Sequence, residues 1–444
     1  MGMIKTLKFG GTSVGSAANM RRVADIVVSE GARLTVLSAM SGTTDALVRI
    51  SGAARGGDRE TVRETVEMLR EKYSTCIDEL LGDCRPAARD RMEETLALIA
   101  NEIFTYRGEV SDKLILAQGE LLTSAIFCFH MQELGYRAVL LTSPEFMHTD
   151  PEGKPDTGRL SGELTRLVTQ TDAEIYYIAQ GFICTDAAGQ VSNLGRGGSD
   201  YSAALMGVAI GSDEVQIWTD IDGMHNNDPR VVERTFPIRR MSFDEAAELA
   251  YFGAKILHPA TIQPCKEAGI NVRLKNSMEP QAEGTLISDA EDNAMDFHAI
   301  AAKDGITVVR IASARMLMAY GFLRKVFEVF EKYRTPVDMI TTSEVEVSLT
   351  IDSTCHLDEI IRELSPFGTV EVERDNTIVC IVGCIDYQHV GLAARIFDGV
   401  REVPLKMISY GANHRSMAIL VATEHKKQTL QALNDRLFDS GCCR

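Results

Sequence analysis

The chain has 444 residues, a formal net charge of −17 and a pI near 5.1. That is too long for one hydrophobic core, and acidic enough to argue against a nucleic-acid or anionic-membrane partner, since either needs a basic face. A composition of 45% hydrophobic and 25% charged residues is that of an ordinary globular protein, so two or three domains are expected.

No apolar run approaches the roughly 18 residues that span a bilayer. Lys5, Lys8 and several glycines interrupt any apolar N-terminal signal core, so the expected location is cytoplasmic. The ten cysteines are scattered without a C-x-x-C pair. Several lie in apolar runs (Cys128, Cys380, Cys384) and read as buried free thiols.

The chain opens on an alternating run, Ile4-Lys5-Thr6-Leu7, that ends in KFGGTSVGS, residues 8–16. A glycine-rich turn between a strand and a helix exposes several N–H groups, and the helix start adds the positive end of a dipole. Such a turn suits phosphate, with Lys8 as point charge. Its spacing is neither that of a Walker A loop nor of the dinucleotide fingerprint, and a plain tight turn with a solvated lysine is the alternative. Residues 34–37 then read as a short buried strand, followed by the turn-rich SAMSGTTD at 38–45. Residues 58–106 carry apolar side chains at helical spacing. Ala138–Leu141, Glu174–Ile178 and Val215–Trp218 read as further strands. Short apolar strands separated by helices predict a mostly parallel sheet covered on both faces.

Three more stretches carry chemistry. LGRGGSDYSAA (194–204) again puts paired glycines before a helix, with Ser199 or Asp200 as cap. Arg196 offers a bidentate fork for a carboxylate, and Asp200 could pair with Lys8. IWTDIDGMHNNDPRVV (217–232) is a strand end followed by acidic and turn residues, the usual place for a site on a parallel sheet. FGAKILHP (252–259) adds Lys255 beside Gly253. Helix caps, turn formers and surface ion pairs would use the same residue types.

The character changes at SDAEDNAMD (288–296), a polar acidic boundary. Beyond it a β-α-β-β-α-β pattern runs over 307–374 and starts again at 377, one strand short when the chain stops. An open sheet edge is usually covered or paired, so the spare strand HAIAAK (298–303) is expected to close the second unit and interleave the two.

Taken together, KFGGTS, SAMSGTTD, QGE (118–120), GRGGSD (195–200), WTDIDG (218–223), DPR (228–230) and FGAKILHP resemble the aspartokinases of the amino-acid kinase family over nearly the whole chain. The paired C-terminal units resemble ACT regulatory domains, and VDMITTSE (337–344) is similar to the lysine-sensitive monofunctional branch. The resemblance implies a three-layer α/β/α kinase domain over 1–290. Two interleaved ferredoxin-like ACT units follow, 304–375 and 376–444, the second completed by 298–303. It implies transfer of the γ-phosphoryl of ATP, with Mg²⁺, to the side-chain carboxylate of L-aspartate, the first step of lysine, threonine and methionine biosynthesis. It also implies feedback by an amino acid, with lysine expected, and a homodimer or higher homo-oligomer through the ACT domains.

By the same resemblance Lys8 and Asp200 are catalytic. Ser38, Thr44, Glu120, Phe182, Arg196 and Ser199 hold aspartate, with Glu120 on its ammonium and Arg196 on a carboxylate. Lys8, Gly10, Gly11, Ser13, Thr219, Asp220, His225, Arg230 and Lys255 serve ATP. The effector falls to Met316, Ala319, Val337, Asp338, Thr342, Ser343 and Glu344. Ala319 stands where lysine-sensitive relatives often carry serine, so threonine is kept as an alternative effector. Other amino-acid kinases, and an amino-acid sensor without turnover, are the rival functions. An intact Lys8, Asp200 and Lys255 speaks against the sensor.

Overall fold

A computed structural model describes residues 3–168, 174–195, 197–253, 257, 259–290, 296–316, 320–386, 388–411 and 413–438. The chain divides into two compact units. One takes 1–224, 239–243 and 257–290, and the other takes 225–238, 244–256 and 291–444. Two segments that the sequence places inside a continuous 1–290 domain therefore pack with the second unit. Asn226 and Asn227 explain one of them: their side-chain amides donate to Asn434 Oδ1 (3.0 and 3.3 Å), and Val232 enters the apolar core beneath helix Lys426–Leu437.

The first unit is built on strands β1 (Lys5–Phe9), β2 (Leu34–Leu37), β3 (Arg137–Leu140), β4 (Ile175–Gln180), β7 (Glu214–Thr219), β8 (Arg240–Ser242), β9 (Asn271–Asn276) and β10 (Thr285–Ser288), with a small hairpin of β5 (Ile183–Thr185) and β6 (Val191–Asn193). The sheet order is β3-β4-β2-β1-β7-β9-β10-β8. Every neighbouring pair is parallel except β9–β10. β1 is central, between β2 and β7. It is buried from Thr6 to Phe9 rather than alternating. Thr6 tolerates that burial because its hydroxyl bonds Ser212 Oγ at 2.8 Å. The parallel register brings Phe9, Leu37, Gln180, Thr219 and Asn276 to one sheet edge, where a doubly wound sheet holds its ligands.

Helix Ala17–Glu30 starts at Ser16, whose side chain accepts from Asn19 N–H, and ends at Gly31 with φ 62°. Helix Glu109–Glu133 is the only described helix long and apolar enough to suit a bilayer. However, 78% of that apolar window is buried inside the protein. Its hydrophobicity serves the core, where Ile115, Leu122, Ile126, Phe127 and Met131 pack with Met40, Leu47 and Tyr73.

The second unit holds one six-stranded antiparallel sheet in the order β12-β13-β11-β14-β16-β15. Its strands are β11 (Phe297–Ala312), β12 (Ile340–Thr342), β13 (Glu346–Ile351), β14 (Thr369–Gly383), β15 (Met407–Tyr410) and β16 (Ser416–Ala422). The sequence reads 298–303 and 307–313 as separate strands, and likewise 369–374 and 377–383. Each pair is one long strand. Ala299–Lys303 pairs with Ile378–Val382, and Val308–Ala312 pairs with Thr369–Glu373, so β11 and β14 serve both ACT units. The switch falls where the register slips, between Lys303 and Val308, beside Gly305 (φ 77°) and Asp375 (φ 59°). A bulge bends a strand without ending its pairing, which a local pattern cannot distinguish from a turn. Each unit keeps its own core. Val326, Phe330, Leu349 and Ile360 fill one, and Ile300, Ile381, Ile396, Ile419 and Leu433 fill the other.

All eight described cysteines are free thiols. Cys128 and Cys380 are buried as expected, whereas Cys384 is half-buried, because it follows the last residue of β14.

Candidate active site

β1 delivers Lys8 to the sheet edge with only 8% exposure. Its ammonium meets Asp200 Oδ1 at 2.6 Å. The glycine loop then turns over the end of β7, with Gly10 N–H donating to Trp218 O at 3.2 Å and Ser13 N–H to Gly10 O at 3.0 Å. A side chain on Gly11 would put its Cβ 2.8 Å from Ala39 O, so only glycine lets the two loops touch. Ser13 is buried, its hydroxyl paired with Ser277 Oγ at 2.8 Å. Trp218 is a core aromatic, stacked on Phe9 with ring centroids 5.7 Å apart.

The second loop is built the same way. Gly197 (φ 71°) caps helix Gly198–Ala209, and Asp200 stands in its first turn. Phe182 holds a left-handed backbone at φ 69°, rare for an aromatic residue. It is kept there by its N–H on Ser202 Oγ (2.9 Å) and its carbonyl on Leu194 N–H (2.8 Å). A Cβ on Gly181 would lie 2.6 Å from Ser199 Cβ. Phe182, Ser199 and Asp200 are thus brought together by close backbone packing. Arg196 lies outside the described residues.

Glu120 enters from helix Glu109–Glu133 at 4% exposure. Its Oε2 has no hydrogen-bond partner among the described residues. Burial pushes its carboxyl up to about 7, against the opposing pull of the Ala39 N–H, its own N–H and the Lys8 charge. The contact with Ala39 ties Glu120 to the loop that holds Ser38, and Ser38 N–H donates to Phe9 O at 3.2 Å. Of the two threonines in SAMSGTTD, Thr44 faces solvent and Thr43 is buried.

Thr219 ends β7, where its Oγ1 accepts from Ile221 N–H at 3.1 Å, and Asp220 beside it is exposed. His225 and Arg230 belong to the second compact unit. The His225 ring meets Thr235 Oγ1 at 3.2 Å, and Arg230 folds back on Asp228 through two 2.9 Å bonds. Lys255 lies outside the described residues.

The expected effector residues form two groups. Thr342, Ser343 and Glu344 are exposed at the tip between β12 and β13, where Ser343 Oγ accepts from Glu346 N–H at 3.0 Å. Asp338 pairs with Thr350 along the same extended stretch, about 15 Å from the tip at some 3.3 Å per residue. That exceeds the reach of one side chain. Val337 and Met316 pack on the first ACT core, and Ala319 lies outside the described residues. Half of the Asp338 carboxylate is engaged, and its Oδ2 is buried with no hydrogen-bond partner among the described residues. Its side chain is 1% exposed, and Oδ1 accepts from Lys303 Nζ (2.8 Å) and from Tyr251 OH (2.6 Å). Sequence reasoning missed both partners because each lies far along the chain and outside every motif.

Residues 3–276 match the amino acid kinase family and residues 379–437 match the ACT domain. The lysine-sensitive aspartokinase 3 of Escherichia coli is 33% identical over 99% of this chain and all of its own length. The chloroplastic aspartokinase 1 of Arabidopsis thaliana is 32% identical over 99% of this chain and 81% of its own. The chain belongs to the aspartokinase family. E. coli aspartokinase III, solved with aspartate and ADP in its R-state, superposes with a TM-score of 0.85 at 34% identity, covering 98% of this chain and 100% of that one. The same enzyme with lysine and aspartate, in its T-state, gives 0.81 at 35% identity, covering 98% and 99%. The family reaction is ATP-dependent phosphorylation of aspartate, and the first unit of this aspartokinase is its kinase fold.

Proposed function

We propose that Lys8, Asp200 and Glu120 form the reacting centre for transfer of the γ-phosphoryl of ATP to the side-chain carboxylate of L-aspartate. The observation that carries this reading is the 2.6 Å Lys8–Asp200 pair at the meeting of two glycine loops, with Glu120 close enough to feel the Lys8 charge. An aspartate carboxylate is ionised at neutral pH, so no general base is needed. Catalysis reduces to positioning and to neutralising charge on the moving phosphoryl group. Lys8 Nζ supplies that charge, and Asp200 fixes its direction. Glu120 takes the substrate ammonium, which restores the charge that burial discourages. Arg196 holds a carboxylate, Ser38, Thr44 and Ser199 give polar contacts, and Phe182 walls the pocket. Gly10, Gly11, Ser13, Thr219 and Asp220 serve the nucleotide.

Among the described residues no three His, Cys, Asp or Glu side chains gather as a metal cage. Mg²⁺ is the proposed metal, and it binds through substrate phosphates, water and one or two carboxylates. When bound it would neutralise phosphate charge, with Asp200 the nearest carboxylate to Lys8.

Lysine is the proposed effector, since the E. coli relatives include a lysine-sensitive enzyme and a lysine complex. The separation of Asp338 from Thr342–Glu344 favours a pocket completed by a second copy of the chain, with ACT sheets paired edge to edge in at least a homodimer. A cytoplasmic location fits such an enzyme. The test is ATP turnover with Mg²⁺ and L-aspartate, with L-glutamate in its place, and with L-lysine or L-threonine added. Aspartate-dependent turnover suppressed by lysine is expected. Suppression by threonine alone would reassign the effector, and no aspartate-dependent turnover would refute the centre.

A further inference from the structure

Helix Arg59–Leu80 lies outside every motif of the kinase unit, yet two consecutive residues of it, Lys72 and Tyr73, close on the loop beside the reacting centre. Tyr73 is fully buried in the core, and burial pushes its hydroxyl up to about 12. That hydroxyl lies 3.2 Å from Thr43 Oγ1 and 3.2 Å from Thr123 Oγ1. Thr123 accepts from Met40 N–H at 3.1 Å and donates to Gly119 O at 2.8 Å. Lys72 Nζ donates to Ser41 O. The loop 38–43 is thereby fastened at Met40, Ser41 and Thr43 from one side.

The other side of that loop is the site. Ser41 N–H donates to Gly11 O at 3.0 Å, and the Ala39 N–H draws the Glu120 carboxyl back down against the lift of burial. Gly119 has room for no side chain: a Cβ there would lie 2.8 Å from Ala39 Cβ and 3.1 Å from Thr43 Cγ2. Loop and helix therefore touch at the residue next to Glu120. A buried hydroxyl must find partners. Tyr73 finds them in the two threonines that flank this contact.

We propose that Tyr73, assisted by Lys72, is a positioning residue for aspartate binding. It clamps the 38–43 loop so that the Ala39 N–H and Glu120 keep one geometry. This rests on the reading of Glu120 as the ammonium site. The clamp acts on the aspartate side, since none of its bonds touches the Gly10–Ser13 turn except through Ser41.

The test compares Tyr73→Phe, Lys72→Met and Glu120→Gln in the full-length protein by steady-state kinetics and melting. Tyr73→Phe keeps the ring and its packing. Losing its hydroxyl bonds is expected to raise KM for aspartate about three- to ten-fold, with KM for ATP within two-fold. Thr123→Val should raise it likewise, and Thr123→Ser, which keeps the hydroxyl, should restore it. Lys72→Met, at a half-buried position, should raise the aspartate KM in the same direction without lowering the melting temperature. An unchanged aspartate KM in both Tyr73→Phe and Lys72→Met, with a raised one in Glu120→Gln, overturns the clamp alone. Unchanged values in all three overturn the ammonium site and the clamp together. Equal loss for both substrates, tracking a fallen melting temperature, marks a purely structural role and also overturns the proposal.

Discussion

Replacing Glu120 by Gln should make the protein more stable and less active, and the size of both effects follows from one buried carboxyl. Burial lifts its titration from 4.5 to about 7. A displacement of that size corresponds to about 3 kcal/mol of unfavourable ionisation. The sign is fixed by proton binding. The folded protein keeps the proton through a window in which the unfolded chain has lost it, so stability falls as pH rises from 4.5 to about 7, with the full cost present by pH 8. Gln has no such charge, and its amide oxygen can still accept the Ala39 N–H. The variant should therefore match the wild type near pH 4.5 and exceed it by up to about 3 kcal/mol at pH 8, read as a higher melting temperature. Binding should move the other way. Losing a charged hydrogen bond to the substrate ammonium should raise KM for aspartate at least about ten-fold. Wild-type kcat/KM for aspartate should rise about ten-fold between pH 6 and pH 8 as Glu120 ionises, and the Gln variant should lack that rise. Melting across pH 5–8 with kinetics at the same values checks both. A Gln variant that melts below the wild type at pH 8, or binds aspartate within two-fold of it, would refute the reasoning.

Lys8→Ala should lower turnover at least about 100-fold while far-UV circular dichroism stays native, because it removes the charge that stabilises the moving phosphoryl group; turnover within ten-fold of wild type would remove Lys8 from the chemistry. Gly181→Ala should cost activity before it costs folding, since its new Cβ would meet Ser199 at 2.6 Å and shift the helix turn that carries Asp200. Kinetics beside a melting curve check this, and wild-type activity would show that the turn yields freely. Asp338→Asn should move the lysine inhibition curve at least about ten-fold to higher lysine, as read in a dose series; an unmoved curve takes Asp338 out of the effector site. His130 is buried with no ring partner among the described residues, and desolvation lowers its titration below the usual histidine range. The unfolded chain takes up a proton that the folded one resists, so stability is complete above about pH 6.5 and is lost as pH falls below it. His130→Leu should flatten melting between pH 7.5 and 5, and an unchanged slope would count against this.

The sequence by itself determined the turns and caps that carry the proposed site residues. Glycines crowded beside Lys8, a second glycine pair before Asp200, and a strand ending at Thr219 are local patterns. Each places its residues at a strand's end by short-range rules of turn and cap, and parallel pairing then gathers those ends at one edge. The helices at 58–106 and the interleaved strand at 298–303 were equally legible, from period and from the cost of an open edge. Tertiary structure alone decided what depends on contacts distant in the chain. β11 and β14 run unbroken through both ACT units because pairing with each other outweighs the local signals at Gly305 and Asp375. Residues 225–238 join the second unit through Asn434, some 200 positions away. Asp338 is engaged by Lys303 and Tyr251, and Glu120 is raised by burial that no local window records. Period, turns and caps act between neighbours, so a sequence displays them. Desolvation and buried hydrogen bonds arise only when distant segments exclude water together.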